Sequence, residues 1–410
     1  MKRITYLIPH FPSQTAVLFW REIGAVERMG VEVDLVSTRR PNPEEICHVW
    51  ASEAMARTAY LYPLSVQALL DALGQTILAG PAAWWRCVKA IGGAQGVSLL
   101  SRARLVLLML IGAATAAQAR RRGWQHIHVH SCADSLMIAV FAHLLIGIPY
   151  SMTLHGPLAH YRGAQHLKWR HAKFAITVTE RLKREVLDAV PTARADRIHV
   201  APMGVDLQRF KRSTPYQPPS PGRPVRIVSC GRLHPNKGHQ ELIRAVARLR
   251  SEGIDASLTI LGDGPARAML AGVIRDLSVT DAVNLAGAVD EGRVRDELEQ
   301  AHVFALGSYD EAIGVATMEA MAMELPVVVT DVGGVAELVG EGVHGRLVAP
   351  RDSVAIAEAI SHLISESANA IRMGHSASRR VAERFSAEKS AMLIARKTSA
   401  SAHPNLRRFF

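Results

Sequence analysis

Two carboxylates, Glu311 and Glu319, stand eight residues apart in the C-terminal half of the chain. Glu319 lies in a run of strong helix formers, whereas Glu311 precedes Gly314 in a segment with no helical or strand period. The pattern predicts a loop with Glu311 that enters a helix with Glu319. The N-terminus of such a helix has unsatisfied N–H groups and a positive dipole end, so it binds phosphate. The carboxylates would accept hydrogen bonds from hydroxyls beside that anion, and a nucleotide sugar presents phosphate flanked by hydroxyls.

An isolated pair of glutamates at this spacing is more often two solvated side chains, so the interpretation needs a second signal. Upstream, a short apolar strand (225–229) runs into a loop with Gly231, Arg232, Lys237 and Gly238, and a helix follows. A strand, a glycine-flanked cationic loop and a helix form a cradle for phosphate. The guanidinium of Arg232 offers a planar fork of donors, and the ammonium of Lys237 offers a point charge.

The two stretches, in this order and about eighty residues apart, resemble the nucleotide-sugar half of the family 4 glycosyltransferases, which have the GT-B fold. The resemblance extends to Gly262-Asp263-Gly264, to Gly333-Gly334 and to the turn 341–345. It implies an α/β chain with two Rossmann-like, doubly wound domains that face each other across a cleft. The donor would bind to the C-terminal domain and the acceptor to the N-terminal one.

The resemblance also assigns roles within the donor site. Arg232 and Lys237 would stabilise the negative charge that develops on the leaving diphosphate, together with backbone N–H groups at the start of the helix. Glu319 would bind the ribose hydroxyls, and Glu311 would bind the transferred sugar. The other donor-binding residues expected from the resemblance are Gly231, Gly262, Gly264, Ile313, Gly314 and Val315.

The implied reaction moves a sugar from a nucleoside diphosphate sugar to an acceptor hydroxyl and retains the anomeric configuration. The departing diphosphate oxygen could itself take the acceptor proton, since no side chain is an obvious general base. No cofactor beyond the donor substrate is expected. No metal is expected either, because two cations stand in the cradle and no two aspartates are separated by a single residue.

Three alternating histidines, His126, His128 and His130, suggest a metal site at first sight. They lack a nearby carboxylate partner, and a strand would put all three on one covered face of a sheet, so we do not interpret them as ligands. His155 is different, because it ends a buried-type strand and precedes Gly156. A lone histidine there is usually structural, but the resemblance implies that His155 reaches the donor sugar.

The N-terminal half begins with a βαβ pattern: an apolar strand (2–8), a helix (16–29) and a second strand (31–37). The loop 10–15 lies where ligands bind in open α/β sheets. It looks like the Phe-Pro opening of exopolysaccharide glycosyltransferases of the colanic-acid type. Two positions depart from the family pattern, namely Ala16, where a Glu is usual, and Met203, where an Asn is usual.

The chain of 410 residues is long enough for two domains, and its 49% hydrophobic and 21% charged residues are ordinary for a globular enzyme. Four well-separated cysteines indicate reduced thiols of a cytoplasmic protein. The N-terminus enters a strand directly, so we expect no signal peptide. The predicted boundaries are an N-terminal domain (1–212), a Pro-rich linker (213–224), a C-terminal domain (225–385), a helix that packs back on the N-terminal domain (386–398) and a disordered tail (399–410).

Positive charge is concentrated in the N-terminal half. Residues 1–212 hold 26 Lys and Arg against 14 Asp and Glu, whereas residues 213–410 hold 22 against 23. Without a nucleic-acid motif, this excess favours an anionic membrane or a phosphorylated lipid as partner. Residues 61–122 are apolar with interspersed basic residues, and their most apolar piece (105–119) is shorter than a membrane span of roughly twenty. We expect core or amphipathic helices there, and a peripheral protein at the inner face of the membrane with a lipid-linked saccharide as acceptor.

Other functions remain open at this stage. The chain resembles GT-B enzymes in general, so a nucleotide-sugar epimerase without an acceptor is an alternative. A non-catalytic nucleotide-sugar-binding protein is a second one, although the intact Arg232, Lys237, Glu311 and Glu319 argue against it. A dehydrogenase is disfavoured, because neither half has Gly-x-Gly-x-x-Gly after its first strand.

Overall fold

The computed structural model describes residues 2–13, 16–42, 46–161, 163–220 and 222–398. They form two compact units. The first contains the described residues within Met1–Ile46, Trp50–Pro202 and Ser390–Phe410, and the second contains Cys47–Val49 and the described part of Met203–Lys389. The expected disordered tail and two residues of the 10–15 loop, Gln14 and Thr15, lie outside the described residues.

The first unit is built on a sheet of seven parallel strands. The strands are β1 (Lys2–His10), β2 (Val31–Arg39), β3 (Thr58–Tyr60), β4 (Ile127–Val129), β5 (Tyr150–Leu154), β6 (Phe174–Thr177) and β7 (Ile198–Val200). The helices are α1 (Val17–Arg28), α2 (Ala51–Arg57), α3 (Val66–Gly92), α4 (Leu99–Arg122), α5 (Asp134–Ile146), α6 (Gln165–Arg170) and α7 (Glu180–Ala189). The strand order is β3-β2-β1-β4-β5-β6-β7.

The second unit is built on six parallel strands. They are β8 (Val225–Cys230), β9 (Ala256–Leu261), β10 (Val283–Gly287), β11 (Val303–Leu306), β12 (Val327–Thr330) and β13 (Arg346–Val348), in the order β10-β9-β8-β11-β12-β13. The helices are α8 (His239–Ser251), α9 (Arg267–Asp276), α10 (Glu291–Gln300), α11 (Val315–Ala322), α12 (Val335–Leu338), α13 (Ser353–Ser365) and α14 (Ser367–Arg384). A final helix, α15 (Ala387–Thr398), belongs to the first unit from Ser390 onward.

The strands of both parallel sheets are largely apolar and buried. β5 and β12 are buried at every residue, as expected for strands covered on both faces by helices. α5 is apolar all round and is buried on nearly all sides, where it packs against α4 and β5. Two doubly wound α/β units were predicted from the alternating strand and helix patterns, and this prediction is confirmed.

α4 is the one described helix that is long and apolar enough to cross a membrane. It is longer than the apolar piece recognised in the sequence, because helical residues extend beyond it at both ends. Half of its most apolar window is buried inside the first unit, where α4 packs against α3 and α5. These contacts are those of a core helix, and length and composition alone are weak support for a span.

The Pro-rich stretch 213–224 is bound to the second unit over part of its length. The backbone N–H groups of Ser213 and Thr214 donate to the carboxylate of Glu299 at 3.1 to 3.2 Å, and both hydroxyls donate to it at 3.0 Å. Tyr216 is buried and donates to the carbonyl oxygen of His302 at 2.9 Å. These contacts hold the start of the stretch in place, which a freely flexible linker would not show.

Gly374 tests how closely α14 packs. Alanine normally stabilises a helix relative to glycine by about 1 kcal/mol. A Cβ on Gly374, however, would lie 2.2 Å from the carbonyl oxygen of Glu324, which belongs to the backbone and has little room to move. We expect Gly374→Ala to lower the urea midpoint of the second unit, with a cost of about 1 to 3 kcal/mol. The control is Gly272→Ala in α9, where no atom of the described residues lies within 4 Å of the added Cβ. A midpoint lowered equally by both changes would contradict the packing argument.

Candidate functional site

The strand order of the second sheet reverses between β8 and β11, which are neighbours in the sheet. In doubly wound sheets, ligands bind outside the carboxyl ends of the strands at such a reversal. The loop after β8 contains Gly231, Arg232 and Lys237, and the loop after β11 contains Glu311 and leads to α11. The two stretches singled out in the sequence therefore meet at the point where the topology places a ligand.

Close backbone contact holds these two loops together. A Cβ on Gly238 would lie 1.8 Å from the carbonyl oxygen of Gly307, and Gly238 has a φ of +59°. The backbone N–H of Tyr309 donates to the carbonyl oxygen of Asn236 at 2.7 Å. A side chain at Gly238 would push the loops apart, so glycine is required there both sterically and for its left-handed conformation.

The contact between the loops brings two candidate residues together. The ammonium of Lys237 pairs with the carboxylate of Glu311, and both side chains are mostly buried. The hydroxyl of Ser308 donates to the same Glu311 oxygen at 3.1 Å. The Arg232 side chain is exposed, and within the described residues no carboxylate pairs with its guanidinium. The site thus holds one cation paired with a carboxylate and one cation that faces solvent.

α11 begins as the sequence predicted. Gly314 is its N-cap residue with a φ of +87°, and no side chain in the described part of the chain caps the helix. The hydroxyl of Thr317, in the first turn, is buried and has no hydrogen-bond partner among the described residues. Ile313 is buried beside this turn. An uncapped N-terminus with N–H groups to satisfy is suited to an anion. Thr317 was missed in the sequence, where a threonine among helix formers gives no distinct signal.

Glu319 differs from expectation in its burial. The sequence interpretation has Glu319 accept hydrogen bonds from the hydroxyls of a ligand, which requires an accessible carboxylate, whereas its relative exposure is 7%. The reason is that α11 is short and apolar and is packed on nearly all sides. Burial raises the pKa of the nearby Cys230 thiol to about 12, and the charge of Glu319 acts in the same direction. Glu319 is thus a buried carboxylate at the sheet edge and contributes to packing as well as to any ligand contact.

The glycines expected to bind the donor pack against the cradle. A Cβ on Gly262 would lie 2.1 Å from the carbonyl oxygen of Gly231, and a Cβ on Gly264 would lie 2.5 Å from that of Leu233. Gly333 approaches the carbonyl oxygen of Glu311 in the same way. These glycines let neighbouring loops support the loop with Arg232 and the loop with Glu311.

His239 lies beneath the cradle at the start of α8 and was missed in the sequence. It is 2% exposed, and its ring lies 3.9 Å from the position of a Cβ on Gly231. Burial lowers the pKa of His239 to about 4, and the charge of Lys237 adds to this effect. His239 is therefore neutral at pH 7 and adds no charge beside the two cations.

The remaining catalytic candidate, His155, lies in the first unit just after β5. Its Nε2 is 3.2 Å from Nδ1 of His130, and Nε2 of His130 is 3.1 Å from Oε1 of Glu22. The sequence interpretation held that the alternating histidines lack a nearby carboxylate. This is wrong, because α1 brings Glu22, about a hundred residues earlier, against them.

Glu22, His128 and His130 have potential metal-ligand atoms within 4.8 Å of one another. Both ring nitrogens of His128 already contact hydroxyls, at 2.8 Å for Ser151 and 3.1 Å for Thr153. The arrangement is that of an internal hydrogen-bond network. That catalysis needs no metal stays a prediction. Its ground is the pair of cations in the donor site, Arg232 and Lys237, and not these histidines.

The two residues that depart from the family pattern are both buried. Ala16 is part of the core of the first unit, and Met203 is 3% exposed in the second. Each therefore contributes to packing where it stands.

Comparison with known proteins follows the division of the chain. Residues 16–209 match the family described as Glycosyltransferase Family 4, and residues 211–380 match Glycosyl transferases group 1. A putative colanic acid biosynthesis glycosyltransferase of Salmonella typhimurium is 36% identical over 168 residues, which span 40% of this chain and 41% of that protein. A 2-deoxystreptamine glucosyltransferase of Streptomyces kanamyceticus is 27% identical over 289 residues, 63% of this chain and 73% of that protein.

Among solved structures, HepE from Anabaena in complex with UDP and glucose matches with a TM-score of 0.73 at 18% identity, and the match covers 97% of this chain and 99% of HepE. Fold and sequence thus define a glycosyltransferase with the GT-B fold. The chain belongs to the family 4 glycosyltransferases, which confirms the resemblance seen in the sequence.

The buried His239 predicts a measurable dependence of stability on pH. Its pKa in the folded protein, about 4, lies below its ordinary value of 6.5, so the unfolded chain takes up the proton at higher pH. The stabilisation is complete above pH 6.5 and is lost as the pH falls toward 4. When the pH falls from 7 to 4.5, the unfolding free energy of the wild-type protein decreases. We expect this decrease to be roughly 2 to 3 kcal/mol smaller in the His239→Gln variant. His234→Gln, an exposed histidine of the same loop, should behave as wild type; equal losses in all three proteins would refute the assignment.

Proposed function

We propose that the protein is a retaining glycosyltransferase that moves a sugar from a nucleoside diphosphate sugar to a hydroxyl of a lipid-linked saccharide in cell-surface or exopolysaccharide biosynthesis. The observation that carries the proposal is the meeting of Lys237, Glu311 and the uncapped start of α11 at the reversal point of the second sheet. The Salmonella relative supports an exopolysaccharide product, and the HepE complex supports UDP as one candidate nucleotide.

In the proposed reaction, the bond between the anomeric carbon and the diphosphate oxygen breaks while the acceptor hydroxyl attacks on the same face. The barrier lies in separating an oxocarbenium-like sugar from an anion. Arg232, Lys237 and the N–H groups at the start of α11 stabilise the charge on the leaving diphosphate. The departing oxygen takes the acceptor proton, so the step balances without a side chain as base. Glu311 holds the sugar and Glu319 the ribose.

The ion pair between Lys237 and Glu311 supports the view that these two residues contact neighbouring groups of one ligand. Lys237 and Glu311 share one position between the two loops, so a phosphate and a sugar hydroxyl bound there would be neighbours, as they are in a nucleotide sugar. An epimerase would use the same contacts. It would change a sugar configuration without an acceptor, and product analysis by NMR separates the two.

A surface of the first unit supports an acceptor at a membrane. α3 is kinked at Gly80, and both of its parts expose large apolar residues, whereas the small residues Ala72, Ala83 and Ala90 are buried. The exposed residues of α3 are Val66, Leu69, Leu70, Leu73, Ile77, Leu78, Trp84, Trp85 and Val88. A soluble helix normally turns its large apolar side chains inward, so this face is suited to contact with lipid. The basic excess of residues 1–212 favours an anionic lipid surface.

The donor site is tested by kinetics. Arg232→Ala and Lys237→Ala should lower kcat more than they raise KM for the donor, because contacts to the leaving group tighten in the transition state. Glu319→Gln, which suits a buried position better than alanine, should weaken donor binding while the folded structure persists. Near wild-type rates in all three variants would show that the site is elsewhere.

The donor base is identified first, with a panel of nucleoside diphosphates in a thermal-shift assay, since ligand at a hundredfold its Kd stabilises by about 2.7 kcal/mol.

Transfer should not require a divalent metal, because Arg232 and Lys237 supply the positive charge near the diphosphate. We expect the rate to be unchanged after treatment with a chelator. Activity that disappears with the chelator and returns with manganese or magnesium would contradict this mechanism.

Membrane binding is tested with vesicles. The protein should sediment with vesicles that contain phosphatidylglycerol at low salt, and it should be largely released at about 0.5 M salt, where the Debye length is roughly 4 Å. Leu73→Glu combined with Ile77→Glu should reduce binding, because these side chains are 59% and 80% exposed on α3. The matched control is Met269→Glu combined with Leu277→Glu, two exposed apolar residues at α9.

Equal binding to neutral and anionic vesicles would remove the electrostatic argument. Absence of binding to either kind of vesicle would favour a soluble acceptor. Self-association that the α3 variant abolishes would favour a second copy of the chain on this face.

A further inference from the structure

A chain of buried polar side chains ends at His155 in the first unit. Glu22, on α1, and His130, just after β4, are each 2% exposed. Nε2 of His130 lies 3.1 Å from Oε1 of Glu22, and Nδ1 of His130 lies 3.2 Å from Nε2 of His155. Within the described residues, no group hydrogen-bonds to Nδ1 of His155. The chain of side chains therefore has a buried carboxyl group at one end and, within the described residues, a ring nitrogen left for a ligand at the other.

The other end of the chain is the buried carboxyl group of Glu22. Burial raises the pKa of Glu22, but Tyr6 donates its hydroxyl to Oε1 at 3.2 Å and Ser390 also hydrogen-bonds to the carboxylate. The hydroxyls of Tyr6 and Ser390 donate to Glu22 and so favour its ionised form.

The two histidines of the chain are neutral. Burial lowers the pKa of His130 and of His155 to about 3, so each ring carries one N–H at pH 7. The carboxylate beside Nε2 of His130 favours the hydrogen on that nitrogen by direct electrostatic attraction, although the N–H does not point straight at the oxygen. Nδ1 of His130 is then the acceptor, and Nε2 of His155 must donate to it. Nδ1 of His155 is left with a lone pair.

We propose that Glu22 is a positioning residue that sets the tautomer of His155 through His130. His155 then presents an acceptor nitrogen, and not a donor, at the carboxyl edge of the first sheet. The partner of this nitrogen is a sugar hydroxyl of the bound substrate; this last step rests on the proposed function, whereas the tautomer does not.

The tautomer is read directly by nitrogen NMR of the full-length protein labelled at histidine, with the His155 signals assigned from His155→Asn. We expect His155 to carry its hydrogen on Nε2 in the wild-type protein. Glu22→Gln keeps the shape of the side chain, but its amide donates to Nε2 of His130. His130 then carries its hydrogen on Nδ1 and donates to Nε2 of His155, so the hydrogen of His155 moves to Nδ1. Tyr6→Phe, which leaves the carboxylate in place, should preserve the wild-type tautomer, as should Glu291→Gln, a buried carboxylate of the second unit.

The kinetic counterpart is a double-mutant cycle with the identified donor. Glu22→Gln should lower kcat about tenfold, or 1.4 kcal/mol, in the wild-type background. It should have no effect in the His155→Asn background, because the asparagine amide oxygen takes the place of Nδ1 without support from His130. An Nδ1–H tautomer of His155 in the wild-type protein would overturn the proposal even if Glu22→Gln failed to fold. An unchanged tautomer in a folded Glu22→Gln protein, or additive losses in the cycle, would do the same.

Discussion

The contact between Gly238 and Gly307 is the constraint on which the candidate donor site depends. Two loops that follow neighbouring strands approach until only glycine fits between them. This approach places the ammonium of Lys237 against the carboxylate of Glu311, although 74 residues separate them in the chain. Glycines from the next loops, at 262 and 333, press on the same two loops from outside. The geometry of the charged groups is thus fixed by backbone packing and not by the side chains themselves.

Burial organises the charges around this contact. His239 beneath the cradle and the Cys230 thiol are both neutral at pH 7, because the interior disfavours their charged forms. The candidate site therefore combines the cations of Arg232 and Lys237 with the carboxyl groups of Glu311 and Glu319. The first unit uses burial in a different way, since its histidines are kept neutral and are ordered by one carboxylate, Glu22.

Much of this architecture is readable from the sequence. Apolar strands such as 225–229, followed by glycine and a cation, predict a doubly wound sheet and the position of its ligand loops, because these signals are local. The burial of Glu319 was not predictable, since it depends on how α11 packs against its neighbours. Glu22 was missed for a related reason: it lies far along the chain from His130, and its proximity arises only when β1 and β4 pair. His239 and Thr317 also gain their meaning only from three-dimensional contacts.

Hydrogen–deuterium exchange of the full chain with and without nucleoside diphosphates tests the central claim most directly, namely that the carboxyl edge of the second sheet binds a nucleoside diphosphate. The account predicts that at least one of UDP, GDP, ADP and dTDP protects backbone amides within residues 231–238 and 307–319. It also predicts that the ligand that protects them does not protect α9 or α13, which lie away from these loops in the sequence. Protection confined to other segments, or none with any of the four, would contradict it.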